Sequence, residues 1–223
     1  MEVINKAELL KSKEQYTFDD LCEIMSLLRS DTGCPWDREQ THESIRKNFI
    51  EETYEVCEAI DEKSPEHLCE ELGDVMLQVV FHTEMEKENG NFDINDVISG
   101  ICKKLVRRHP HIFSDTVAET PDKVLTNWDA IKREEKGQKN LYEELSSVSK
   151  TLPSLMRMQK LVKKAGKQGV IVCPDDEVFA SLDKDGYAEL LIKVCSSANK
   201  NGYDLEEILE EKCNNVVKKA KKL

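Results

Sequence analysis

Glu52 and Glu55 stand three residues apart, as do Glu71 and Asp74, and Lys63 lies midway between the pairs: Glu55 and Glu71 are each eight residues from it, Glu52 and Asp74 each eleven. Residues three apart share a helix face. Ser64-Pro65 reads as an N-cap followed by the first residue of a new helix, so the chain reverses there. At a rise of ~1.5 Å per residue, each acid then faces its counterpart at the same height in an antiparallel helical hairpin, and four carboxylates converge. Asp74 sits within the apolar run 72–81, where a buried, unpaired carboxylate would cost several kcal/mol, so the arrangement calls for a cation. Oxygen-only donors suit Mg²⁺, or Mn²⁺, better than zinc. Gly73, costly inside a helix, is expected where another group approaches the backbone. The competing reading, a solvated acidic helix face, suffices for Glu58, Glu62, Glu66 and Glu70.

The surrounding chain favours helices throughout. Charged residues make up 34% and aromatics 6%, with nine glycines in 223 residues, a composition of long solvated helices and an all-α fold. Caps and breakers predict helices over 17–29, 41–62, 65–88, 93–108 and 120–135, a turn at 31–35 with Trp36 pinning it to the bundle, and a polar link at 137–140. The stretch 141–223 is again helical in pattern, broken at Gly166/Gly169, Pro174 and Gly202. Residues 199–220 echo 87–108: a helix end, an Asn-Gly turn, an acidic cap and an amphipathic helix with a basic end. Aligning the two Asn-Gly turns sets Asp183 against Glu71 and Gly186 against Asp74, so the second copy lacks the acids. The motif LDKDGY at 182–187 lacks the remaining ligands of a calcium loop. Two domains are expected, 17–137 and a shortened, degenerate repeat over 141–223.

A net charge of −12 disfavours a nucleic-acid duplex or an anionic membrane as partner. No apolar run of membrane-spanning length and no secretory leader pattern is visible, which predicts a cytoplasmic protein. The eight cysteines form no CxxC pair, and reduced thiols in helical cores are expected. His109-Pro110-His111 has no nearby acid and is a weak metal motif.

The motifs GCPWDREQT, EETYE, ELGD, KLVRRHPHIF and NWDAIKREE, in that order over 17–137, resemble the MazG family of nucleoside triphosphate pyrophosphohydrolases. The resemblance implies a helical bundle, in a homodimer, that hydrolyses nucleoside triphosphates to monophosphate and pyrophosphate with broad nucleobase tolerance. It implies that Glu52, Glu55, Glu71 and Asp74 hold Mg²⁺, and that Lys104 and Arg108 bind phosphates. It also implies that Trp128 and Lys132 touch the nucleotide, where an indole could stack on any base. Glu51, beside the ligand pair, is the candidate general base or an outer ligand. The bland readings are a charged helix end for Lys104 and Arg108, a core position for Trp128 and an exposed charge for Glu51. Two other functions compete: a base-specific dUTP or dCTP pyrophosphatase, and a helical interaction module without catalysis.

Overall fold

The computed structural model describes residues 2–114, 120–172, 179 and 181–221. Every regular element among the described residues is an α-helix, and no described helix is long and apolar enough to cross a membrane. The chain divides into two compact units, Met1–Arg107 and Arg108–Leu223.

The first unit holds α1 (Glu2–Lys11), α2 (Phe18–Arg29), α3 (Pro35–Glu39), α4 (Arg46–Glu62), α5 (Pro65–Glu88) and most of α6 (Ile94–Arg108). Thr17 and Asp20 start α2 with a reciprocal capping box, satisfying donors that a helix end leaves open. Lys13 and Thr17 hold the Asp20 carboxyl down to about 2. Met25, Ile45, Val80, Phe81 and Met85 form the buried cluster, which packs α2 and the residue preceding α4 onto the second half of α5.

Three local expectations change. Helices α1 and α3 were not expected, and the helix predicted from 41 begins at Arg46. Pro35 at a first helical position starts α3, while Thr41 and Ser44 exchange side-chain-to-backbone hydrogen bonds at 2.9 and 3.3 Å and hold a turn ahead of α4. Trp36 does not pin this segment, because it is 57% exposed. Arg29 does so instead: its guanidinium donates to the Asp37 carbonyl at 2.5 Å and forms a two-pronged ion pair with Glu88 at 2.7 Å. His42 adds a second anchor through the Nδ1 of His82 (2.7 Å) and Glu86 (2.6 Å).

The second unit contains α7 (Pro110–Phe113), α8 (Pro121–Glu135), α9 (Leu141–Ser146), α10 (Ser154–Lys167), α11 (Lys184–Lys200) and α12 (Leu205–Ala220). Leu141, Leu145, Val148, Leu161 and Cys213 form its core with Ala220. The units meet about thirty residues before the polar link at 137–140, with α8 tied to α10 through the ion pair of Asp129 and Lys167. The echo between 87–108 and 199–220 has a local structural counterpart: Gly90 and Gly202 take φ of +72° and +71°, where glycine avoids the Cβ penalty. Asp93 and Asp204 then accept from backbone amides at the start of α6 and α12. Asp183 caps α11 by accepting from Gly186 N, which accounts for LDKDGY without calcium. The break expected at Pro174, and Cys173, lie outside the described residues.

The cysteines among the described residues are free, but of these only Cys213 is buried; Cys57, Cys69, Cys102 and Cys195 are exposed. The expectation of core thiols is therefore corrected. Thiols at helix positions facing solvent satisfy the same apolar periodicity only where a neighbour covers them, and among the described residues none does so for these four.

Candidate active site

The hairpin is made by local chemistry. Lys63 adopts the left-handed conformation at φ 56° and closes α4, Ser64 accepts from the His67 amide at 3.2 Å, and Pro65 opens α5. Helices α4 and α5 lie against each other along the hairpin, with Ala59 wholly buried. Glu52, Glu55 and Glu71 each offer a carboxylate oxygen within 4.8 Å of the others. Among the described residues this is the sole group of three or more His, Cys, Asp or Glu side chains so arranged. Asp74 falls outside that trio, yet its charge bears on both Glu52 and Glu71. Glu51 is exposed and lies outside the trio, ~100° around the helix from Glu52 and ~40° from Glu55. Gly73 is also exposed, and a Cβ there would meet nothing within 4 Å; among the described residues, the close approach expected at this glycine is not made.

The trio carries strain of charge. Burial, a hydrogen bond with Glu55 and the charges of Asp74, Glu55 and Glu71 raise the Glu52 pKa above its ordinary 4.5. Burial raises Glu71 as well, followed by the charge of Glu55, with Asp74 and Glu70 adding to it and His67 opposing. Glu71 is only 8% exposed, and its buried Oε2 has no hydrogen-bond partner. A buried acceptor without a donor is costly. These oxygens fit a hard divalent cation, which would satisfy the orphaned acceptor and remove the mutual repulsion.

A raised carboxylate pKa means that the folded chain holds the proton more tightly than the unfolded chain, so ionising the group costs stability. That cost is absent below the unfolded value of 4.5 and complete above the raised one. Glu52→Gln in metal-free protein should therefore raise Tm above wild type at neutral pH, with the difference shrinking as pH falls toward 4.5. Thermal melts in EDTA from about pH 8 to 4.5 check this; a difference that grows on acidification would contradict it. Comparing the two proteins removes the opposing contribution of His82, whose pKa is lowered by burial and by His42.

The other sequence-selected residues lie on later helices. Lys104 is exposed on α6 in the first unit, whereas Arg108, Trp128 and Lys132 belong to the second. Trp128 is half-buried and lies outside both apolar clusters. Its ring is flanked by the Arg108 guanidinium at 5.6 Å and the Lys132 ammonium at 5.1 Å, within cation–π range. Arg108 also donates through Nε and Nη2 to Glu135 at 3.0 and 2.5 Å, a partner that the spacing did not reveal. Burial and then the positive charges of Lys136, Lys164 and Arg108 lower the Lys132 pKa, so this surface concentrates positive charge. His109 and His111 place their rings 5.7 Å apart but belong to no group of potential metal ligands among the described residues.

His67 was missed. It stands four residues before Glu71, on the same helix face, and its ring lies 2.9 Å from Glu62 and 3.1 Å from Glu71. That i,i+4 spacing was the available signal.

Residues 40–113 match the MazG nucleotide pyrophosphohydrolase domain. The chain is 46% identical over 152 residues to a nucleoside triphosphate pyrophosphohydrolase of Escherichia coli (strain K12), spanning 68% of this chain and 58% of that protein. It is 41% identical over 168 residues to the nucleoside triphosphate pyrophosphohydrolase/pyrophosphatase MazG of Thermotoga maritima, spanning 75% of this chain and 64% of that one. It is 49% identical over 150 residues to the uncharacterized protein YabN of Bacillus subtilis (strain 168), spanning 66% of this chain and 30% of that one. The chain thus spans less than two thirds of the length of each of these relatives. The matched segment contains the whole α4–α5 hairpin with its mirrored acids, and on that likeness the chain belongs to the MazG family.

Proposed function

We propose that the chain is a Mg²⁺-dependent nucleoside triphosphate pyrophosphohydrolase that converts NTP and water to NMP and pyrophosphate, with broad tolerance of base and sugar, as nucleotide-pool house-cleaning requires. The observation that carries this reading is the carboxylate trio with the unpartnered Glu71 Oε2. Glu52, Glu55, Glu71 and Asp74 would hold Mg²⁺, with Mn²⁺ as a substitute. When bound, the ion offsets triphosphate charge and lowers the pKa of a coordinated water. Without it, the acids would repel a substrate carrying about four negative charges.

The remaining roles fall to this chain's own groups. Glu51, exposed beside Glu52, is the proposed proton acceptor for the attacking water. Lys104, Arg108 and Lys132 would hold phosphate oxygens by charge-assisted hydrogen bonds, and Trp128 would offer its ring face to the base. Stacking discriminates weakly among bases, which fits a broad rather than a dUTP- or dCTP-specific enzyme. Kinetics across the eight common ribo- and deoxyribonucleoside triphosphates test this: kcat/KM values within about a hundredfold support it, since larger ratios need hydrogen-bond readout.

We place the catalytic module at 17–137 and read 141–223 as a degenerate repeat kept for packing or assembly. We also propose a cytoplasmic homodimer that binds no nucleic-acid duplex or membrane. Leu72 and Met76 on α5, with Val97, Ile98 and Ile101 on α6, are exposed, and no residue of α6 is fully buried among the described residues, Ile94 being partly buried against the first cluster. An apolar surface of this extent favours a partner. Sedimentation should give twice the 25.6 kDa chain mass, and Ile98→Asp with Ile101→Asp should yield monomers. A wild-type monomer at micromolar concentration would refute the dimer.

A further inference from the structure

We propose that His67 is a positioning residue that holds the Glu71 carboxylate in its metal-binding orientation; this rests on the metal-site reading above. The ring is itself fixed in place. Its backbone amide donates to the Ser64 hydroxyl at 3.2 Å, in the first turn of α5, so the side chain projects from a capped, immobile position. Nδ1 lies 2.9 Å from Glu62 Oε2 and Nε2 lies 3.1 Å from Glu71 Oε1. An ionised carboxylate only accepts, so the ring serves Glu62 as a donor through Nδ1 and turns its other nitrogen to Glu71 rather than into the carboxylate trio. By distance, His67 lies outside the group of potential ligands formed by Glu52, Glu55 and Glu71.

The consequence falls on Glu71. One of its oxygens is tied to the ring, and the other, Oε2, is buried without a partner. Glutamate has three side-chain torsions, and an ion-pair contact that fixes one oxygen restricts where the second points. Glu62 is the last residue of α4, so the ring also clamps the end of α4 to the acid on α5. The helix geometry supplies the height match between Glu55 and Glu71; His67 supplies the orientation of the Glu71 oxygens at that height. Histidine–carboxylate partners of this kind usually change metal affinity by about 10–100-fold when removed.

The test is Mn²⁺ binding to the nucleotide-free full chain, measured by electron paramagnetic resonance for wild type, His67→Ala, His67→Gln and Glu71→Gln. His67→Ala should raise the Mn²⁺ Kd by about 10–100-fold, and its loss of hydrolysis should be recovered by raising Mg²⁺, with kcat nearing wild type. His67→Gln, which keeps a donor near the Nε2 position, should recover most of the affinity. Where His67→Ala loses its helical signal, Glu62→Gln replaces it: the ring stays, its far anchor weakens, and the Kd should rise by at least about threefold, short of the full loss. Unchanged Mn²⁺ affinity in His67→Ala, or in Glu62→Gln where that variant replaces it, overturns the positioning role while the metal site stands. If Glu71→Gln binds Mn²⁺ as wild type does, the site reading itself fails, and the inference falls with it.

Discussion

Replacing Glu71 by glutamine should reduce triphosphate hydrolysis by more than about a hundredfold, because loss of a direct ligand exceeds the effect of losing a ligand's support. The substitution keeps side-chain volume and removes one charge. In the metal-free protein it relieves the repulsion that, together with burial, raises the Glu71 pKa, so folding should be unimpaired or improved. Glu55→Gln should behave alike, since Glu55 shares the 4.8 Å group. The combination of lost Mg²⁺ binding, lost turnover and unchanged circular dichroism separates a ligand from a structural acid. Near wild-type turnover of either variant at saturating Mg²⁺ would remove that residue from the ligand set.

The double variant Arg108→Ala, Lys132→Ala should lower kcat/KM for triphosphates by at least about a hundredfold, with Mn²⁺ affinity unchanged. Each charge-assisted hydrogen bond contributes roughly 1.5–3 kcal/mol, and two adjacent cations acting on one polyanion need not add independently. The surface at Trp128 gathers both charges beside one ring. Arg108 is already paired with Glu135, so its single replacement should cost less than that of Lys132, whose lowered pKa reflects burial and surrounding positive charge. Wild-type kcat/KM in the double variant would move phosphate binding elsewhere.

The helical hairpin was legible because everything that makes it is local. The Ser-Pro start of α5 stands where it was expected, and Glu52, Glu55 and Glu71 come together across the hairpin, with Asp74 outside their group. What escaped depends on contacts far apart in the chain. Arg29 reaches Glu88 across 59 residues to hold the segment around α3, and no periodicity in 31–40 announces it. Asp129 joins Lys167, so α8 falls into the second unit although a polar link follows it. His67 was different: its spacing to Glu71 was visible, but histidine at a helix start has many uses, and only the second contact to Glu62 singles this one out. Exposed Gly73 and the exposed apolar positions of α6 have no account within one chain. The apolar positions of α6 are part of the surface proposed above for a partner copy.

Mg²⁺-dependent release of pyrophosphate is the reaction proposed for the mirrored carboxylates of α4 and α5. Phosphorus-31 NMR of purified protein with a mixture of nucleoside triphosphates, with Mg²⁺ and with EDTA, follows the products themselves. Monophosphate and pyrophosphate signals should grow together with Mg²⁺ and neither with EDTA. Diphosphate with inorganic phosphate, or equal turnover in EDTA, would contradict it.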